Sequence, residues 1–197
     1  MDIIVHNHRT LTSPGDVHGM YSTPVWEIEV KSDTLADPEF VQNLHNASNF
    51  VESPGHASAL RSQYNGNDLV KSFLQQSHRD WLLDLVQEHP LTRPRYTRSR
   101  SYYQERSTWF ATILRDQPGY KMVPHLDNSH IMIQMIVNLL QDNTTSTDFY
   151  LFDQLEPVYQ APTKQNHGVV FVNTPGAVHN ISSVEHQRWI LYAGVMI

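Results

Sequence analysis

A chain of 197 residues, 40% hydrophobic and 17% charged, can bury one core without staples and is too apolar to stay disordered. It has no cysteine, which excludes disulfides, zinc ribbons, iron–sulfur clusters and a cysteine nucleophile, so a metal site would have to use Asp, Glu and the twelve histidines. The formal charge of -6 argues against sequence-independent nucleic-acid binding, and the absence of a long apolar run or a basic–apolar leader suggests a cytoplasmic protein with no membrane partner.

Residues 1–35 read as irregular strands and turns, with a turn at Pro14-Gly15 and a short strand through Val25, Trp26, Ile28 and Val30. Asp37-Pro38 opens a helix over 37–50 whose stripe is Phe40, Val41, Leu44 and Ala47. Residues 51–66, rich in Ser, Gly, Asn and Pro, read as loop. The strongest helix spans 68–88, where Val70, Phe73, Leu74, Trp81, Leu82, Leu85 and Val86 recur at helical spacing and Pro90 ends the run. Beyond about residue 96 the chain reads as short strands: 100–104, 107–115, 121–127, 131–140, 148–152, 168–173, 177–181 and 187–196. Helices followed by strands predict an α+β, mainly β fold, with the helices on the outer face of a sheet. One domain over 1–197 is expected, 1–95 supplying flanking strands and helices and 96–197 the core.

The segment Pro124-His-Leu-Asp127 carries the first chemical signal. Residues two apart on a strand point the same way, so His125 and Asp127 would offer a nitrogen and an oxygen together. Such a pair is common by chance. Its weight comes from Asn173-Thr-Pro-Gly-Ala-Val-His179, a strand, a Pro-Gly turn and a second strand bearing a histidine. Nine residues further on, Arg188 stands in the otherwise apolar Arg-Trp-Ile-Leu-Tyr-Ala-Gly, on one face with Ile190, Tyr192 and Gly194. A charge there is costly unless paired or bound to a ligand, and a planar guanidinium suits a carboxylate. Two histidines and one carboxylate make the facial triad of non-haem Fe(II) oxygenases.

Residues 118–197 resemble the double-stranded β-helix (jelly-roll, cupin-like) core of the Fe(II)/2-oxoglutarate dioxygenases, most closely the prolyl-hydroxylase-like group. The matching elements are Pro-His-Leu-Asp (124–127), Asp148-Phe-Tyr-Leu-Phe152, Pro175-Gly-Ala-Val-His179 and Arg188. Two positions depart from the group's pattern: Met122 stands where many members have tyrosine, and Asn143-Thr-Thr-Ser-Thr-Asp148 lacks glycine. The resemblance implies Fe(II) on His125, Asp127 and His179, with 2-oxoglutarate and O2 as co-substrates and ascorbate as a supporting reductant. It implies Arg188 on the C5 carboxylate of 2-oxoglutarate, with Tyr192 as a second donor and Asn138, on the face of Gln134 and Ile136, at the C1 end. The implied reaction releases succinate and CO2 and hydroxylates an amino-acid or peptidyl, proline-like substrate.

Two other readings stand beside this one: a cupin-like metal protein without 2-oxoglutarate chemistry, and an oxygenase acting on small metabolites or nucleic acid. The stretch Arg93–Arg106 holds five arginines among Tyr96, Tyr102 and Tyr103. It reads as an edge strand with its arginines in solvent in preference to a nucleic-acid groove. His130, His167 and His186 read as exposed turn residues, and His6, His8 and His18 as surface residues.

Overall fold

The computed structural model describes residues 1–53, 58–65, 75–139, 143–151 and 154–197. Apolar residues occupy both faces of the central strands, and the chain buries both sets by sandwiching one sheet between helices and a second sheet. The major sheet contains β1 (Asp2–Leu11), β2 (Thr23–Lys31), β3 (Phe50–Glu52), β4 (Arg61–Tyr64), β5 (Thr108–Asp116), β7 (Ile131–Asn138), β10 (His167–Val172) and β12 (Arg188–Met196). The minor sheet contains β6 (Met122–His125), β8 (Thr147–Tyr150), β9 (Tyr159–Gln160) and β11 (Val178–Ile181). The order is β1-β2-β10-β7-β12-β5-β4-β3 in the first and β6-β11-β8-β9 in the second, with every pairing antiparallel. This is the expected jelly-roll architecture.

Helices α1 (Asp33–Ala36), α2 (Pro38–His45), α3 (Gln76–Glu88) and α4 (Arg100–Arg106) supply the covering layer. Asp37 caps α2 by accepting the Glu39 N–H, and Pro38 sits where a missing N–H costs nothing. Phe40 and Leu44 of α2, Leu82, Leu83 and Val86 of α3, and Tyr103 of α4 join a core cluster with Ile133, Met135, Val137, Trp189, Leu191 and Ala193. The other faces of the same strands, including Leu114, Ile136, Val169, Phe171 and Ile190, pack with Phe149 and Tyr159 of the minor sheet. The alternation expected for β12 is therefore realised: Ile190 and Tyr192 turn inward between the sheets, Trp189 and Leu191 toward the helices.

Three expectations need correction, and a fourth is met over the residues described. Residues 2–11 form one long regular strand where irregular strands and turns were expected; its sequence is largely polar because β1 is a mostly exposed edge. The expected loop 51–66 contributes β3 and β4 at the opposite edge. The expected strand 100–104 is helix α4, begun by Ser99, whose hydroxyl accepts the Tyr102 N–H, and held by burial of Tyr103. The helix expected over 68–88 is present as Gln76–Glu88; Val70, Phe73 and Leu74 lie outside the described residues, as does Phe152. Among the described residues no helix is long and apolar enough to cross a membrane.

Candidate metal centre and its anion end

β11 lies between β6 and β8, and its register sets His179 directly opposite His125 on one side and Phe149 on the other. The imidazole of His179 is buried against Phe149 and Phe171, with ring centroids 5.8 and 5.1 Å away. Asp127 reaches the pair differently from the same-strand reasoning. β6 ends at His125, and Asp127 follows in the segment before a turn at residues 129–130. That turn is fixed by the Ile131 N–H to Asn128 carbonyl bond and by Asn173, whose amide donates to the carbonyls of Asn128 and Ile131.

Asp127 Oδ2 is 3.2 Å from His179 Nε2, and Asp127 Oδ1 is 3.7 Å from His125 Nε2. Donors about 2.1 Å from a common ion and at right angles lie roughly 3 Å apart, so the three residues fit one divalent transition metal. The ring nitrogens are already sorted for it. His125 Nδ1 is 2.9 Å from the Val123 carbonyl and His179 Nδ1 is 2.9 Å from the Ala177 carbonyl. A proton on each Nδ1 makes these bonds and leaves both Nε2 atoms facing Asp127, the positions from which they would bind a metal. Gln134 orients the carboxylate by donating to Asp127 Oδ2 at 2.6 Å, and Tyr192 steadies Gln134 by donating to its Oε1 at 2.9 Å. Burial alone would raise the Asp127 carboxyl, but hydrogen bonds from His125, His179 and Gln134 hold it well below the usual carboxylate range. Its hydrogen bond with Asp127 raises His125 above an ordinary histidine, against the effect of burial.

The triad borders a cavity lined also by Arg61, Leu114, Met122, Ile136, Thr147, Ile190 and Tyr192. Behind Thr147 is Arg188, only 1% exposed, which donates from Nη2 to Thr147 Oγ1 at 2.9 Å. Its Nε and Nη1 find no hydrogen-bond acceptor among the described residues. Burial pushes the guanidinium down to about 10, still charged at neutral pH. Asp116 is fully buried between two arginines: Arg61 grips it through Nε and Nη2 at 2.6 and 2.8 Å, while Arg188 Nη1 is 3.7 Å away. Two guanidiniums thus share one carboxylate. Asp148 also draws on Arg188, but its own oxygens already accept from Ser146, Gln160 and Ser182. Two guanidiniums against one shared carboxylate leave positive charge beside the Thr147 wall of the cavity, a setting that suits an anion.

The structure brings His125, Asp127 and His179 together and puts Arg188 behind the same cavity. Tyr192 borders the cavity, but its hydroxyl serves Gln134 at the metal end and not Arg188. Asn138 does not border it. Its amide donates to the carbonyls of Pro162 and His167, and its oxygen accepts from Asn143, so it ties β7 to the loop before β10. Arg61 was missed because it sits in a polar stretch of Ser, Gly and Asn that resembles loop. His130 stays out of the triad, exposed, with Nδ1 3.2 Å from the Ile197 carbonyl.

The sequence matches no known family model and no curated protein. Solved structures do match. A Pseudomonas putida prolyl-4-hydroxylase shares 13% identity over 91% of this chain and 93% of its own, with a TM-score of 0.53. A Trichoplax adhaerens prolyl hydroxylase, solved with a peptide fragment of the hypoxia-inducible factor oxygen degradation domain, shares 14% identity over 92% and 84%, with a TM-score of 0.56. This chain has the 2-oxoglutarate–Fe(II) oxygenase fold. The same fold serves SnoN, a non-haem α-ketoglutarate-dependent epimerase of nogalamycin biosynthesis, at 12% identity over 87% and 77% and a TM-score of 0.57. An oxygenase-type fold therefore accommodates more than one outcome at its metal, and the outcome has to be argued from the cavity.

Proposed function

We propose that this chain is an Fe(II)- and 2-oxoglutarate-dependent dioxygenase that hydroxylates an amino-acid or peptidyl, proline-like substrate. The observation that carries the reading is the buried Arg188, whose Nε and Nη1 have no hydrogen-bond acceptor among the described residues, behind a cavity whose wall is a two-histidine, one-carboxylate cluster. A cupin-like metal-binding protein does not need that arginine for its metal.

In this reading His125, Asp127 and His179 would hold Fe(II), which, with O2 and 2-oxoglutarate bound, supplies the oxidation that releases succinate and CO2. The chain contributes geometry. Gln134 and Tyr192 hold the Asp127 carboxylate in place, and the carbonyls of Val123 and Ala177 fix the histidine tautomers. Arg188, Thr147 and Arg61 would receive the C5 carboxylate, while Leu114, Ile136 and Ile190 exclude water from the aliphatic part of the co-substrate. Val123 and Leu126, close to His125 in the sequence, are exposed apolar side chains of the kind a proline-like substrate would pack on. None of the arginines between Arg93 and Arg106 borders the cavity. Arg100 pairs with Asp84, and Arg95 donates to the Met20 carbonyl, so the basic stretch favours no nucleic-acid substrate at this site.

The test is succinate release with Fe(II), 2-oxoglutarate and, in turn, proline-containing peptides, free proline and alkylated oligonucleotides. Proline compounds should stimulate release. His179→Ala should abolish it, and His130→Ala should leave it intact. Failure to bind 2-oxoglutarate in the presence of Mn2+ would sink the oxygenase reading, and stimulation by the oligonucleotide alone would sink the substrate class.

A further inference from the structure

Away from the cavity, a second cluster of metal-ligating side chains spans three neighbouring strands. His167 of β10 and Glu29 of β2 stand directly opposite each other in the sheet register. His6 is the extra residue of a bulge in β1, since Val5 pairs with Ile28 and Asn7 with Glu27. A bulge re-aims the side chain it inserts. Here it brings His6 Nε2 to 3.0 Å from Glu29 Oε2 and lays the His6 ring parallel to that of His167, with centroids 5.7 Å apart. A donor atom from each of the three residues lies within 4.8 Å of the others.

His167 carries the same preparation as the two histidines of the cavity. Its Nδ1 is 2.9 Å from the carbonyl two residues back, that of Gln165, so a proton there leaves the Nε2 lone pair facing Glu29 and His6. Glu29 is the available carboxylate on this surface. Glu27, two residues earlier on the same strand, is already taken by Arg9 at 2.6 Å and by the Tyr159 hydroxyl at 3.1 Å. Lys31 competes for Glu29 only loosely: its Nζ is 4.0 Å from Oε1, the oxygen that His6 does not contact, and its side chain is 60% exposed. A surface contact of that kind is worth little and yields readily to an ion.

We propose that His6, Glu29 and His167 form a second metal site that takes Zn2+. Two imidazoles and one carboxylate suit a borderline ion and not Ca2+ or Mg2+, which want oxygen donors. Three ligands at about 2.1 Å lie roughly 3.4 Å apart in a tetrahedral shell, a spacing that small rotations of the exposed His6 supply, and water takes the fourth position. The bound ion clips β1, the outermost strand of the major sheet, to β2 and β10.

The test separates the two sites by counting ions. Zn2+ is titrated into the full chain and bound metal is measured by atomic emission after desalting, with Tm read with and without Zn2+. The wild type should retain two ions. Asp127→Ala/His179→Ala should retain one and still gain Tm with Zn2+. Adding His167→Gln should remove that last ion and the Tm gain. Adding His6→Asn instead, at an exposed bulge, provides the same test if His167→Gln lowers the Tm measured in EDTA. A wild type whose single ion is lost in Asp127→Ala/His179→Ala, or an ion that survives both His167→Gln and His6→Asn, would overturn the proposal.

Discussion

In the proposed site, Asp116 sets how much positive charge Arg61 and Arg188 can offer a ligand. Its one negative charge is divided between Arg61 and Arg188, so either arginine alone would be neutralised by it and only the pair leaves a surplus for a ligand. Arg188→Met should therefore raise the 2-oxoglutarate requirement by well over tenfold, because losing one partner of a desolvated pair costs about 2–5 kcal/mol. Arg61→Met should do the same with the three metal ligands intact, since it removes one guanidinium from the cavity wall and leaves Asp116 to quench Arg188. Mn2+ affinity should stay near wild type in both. An unchanged requirement in Arg61→Met would show that Arg188 works alone. The reverse change is also informative. Asp116→Asn leaves two buried guanidiniums without an anion, which should destabilise the apo chain by about 3–5 kcal/mol. 2-Oxoglutarate should then raise Tm more in this variant than in the wild type. Of this apparatus the sequence displayed Arg188, a charge on an apolar strand, but neither Asp116 nor Arg61 stands out in its own segment.

Strands that alternate apolar and polar residues, or that are apolar throughout, were legible within a residue or two: β5, β7, β10, β11 and β12 lie close to their expected limits. Elements whose residues are polar because they form sheet edges were not, and β1, β3 and β4 are the examples. The turn that delivers His179 falls between these cases. Pro175-Gly176 announces a turn, but the reason for the glycine is tertiary: a Cβ at Gly176 would lie 1.8 Å from the carbonyl oxygen of Tyr21. Thr174 locks the same contact by donating to the Ser22 carbonyl at 3.0 Å and accepting the Gly176 N–H at 3.1 Å. Gly176→Ala should thus push backbone from backbone, lowering stability by about 1–3 kcal/mol and displacing β11. Unfolding in urea gives the first quantity, and a weaker Mn2+ affinity with Asp127 and both histidines intact reports the second. A variant with wild-type stability and metal affinity would show that the Tyr21 segment moves aside freely.

The two halves of the chain are less separable than the concentration of motifs after residue 118 suggests. β2 sits inside the major sheet, paired with β1 on one side and β10 on the other, and β4 covers the free side of β5. Trp26, Ile28 and Val30 of β2, Phe40 and Leu44 of α2, and Leu82, Leu83 and Val86 of α3 are buried in one cluster with residues of β7, β10 and β12. The site depends on the first half as well, since Arg61 comes from β4 and the His179 turn leans on Tyr21 and Ser22. We infer that 1–197 is one folding unit in which 1–95 flanks the sandwich without being dispensable to it. A fragment of residues 96–197 would expose the helix-facing side of β7, β10 and β12 and leave β5 and β10 as open edges, a template for aggregation. It should fail to unfold cooperatively in urea and should bind Mn2+ far more weakly than the full chain, although it carries all three candidate ligands. Co-expression with residues 1–95 should recover a soluble pair by restoring the β2–β10 and β4–β5 pairings. A fragment that folds cooperatively alone and holds Mn2+ with full-chain affinity would mean that the N-terminal half is an accessory layer and that the anchoring of His179 through Thr174 is not needed.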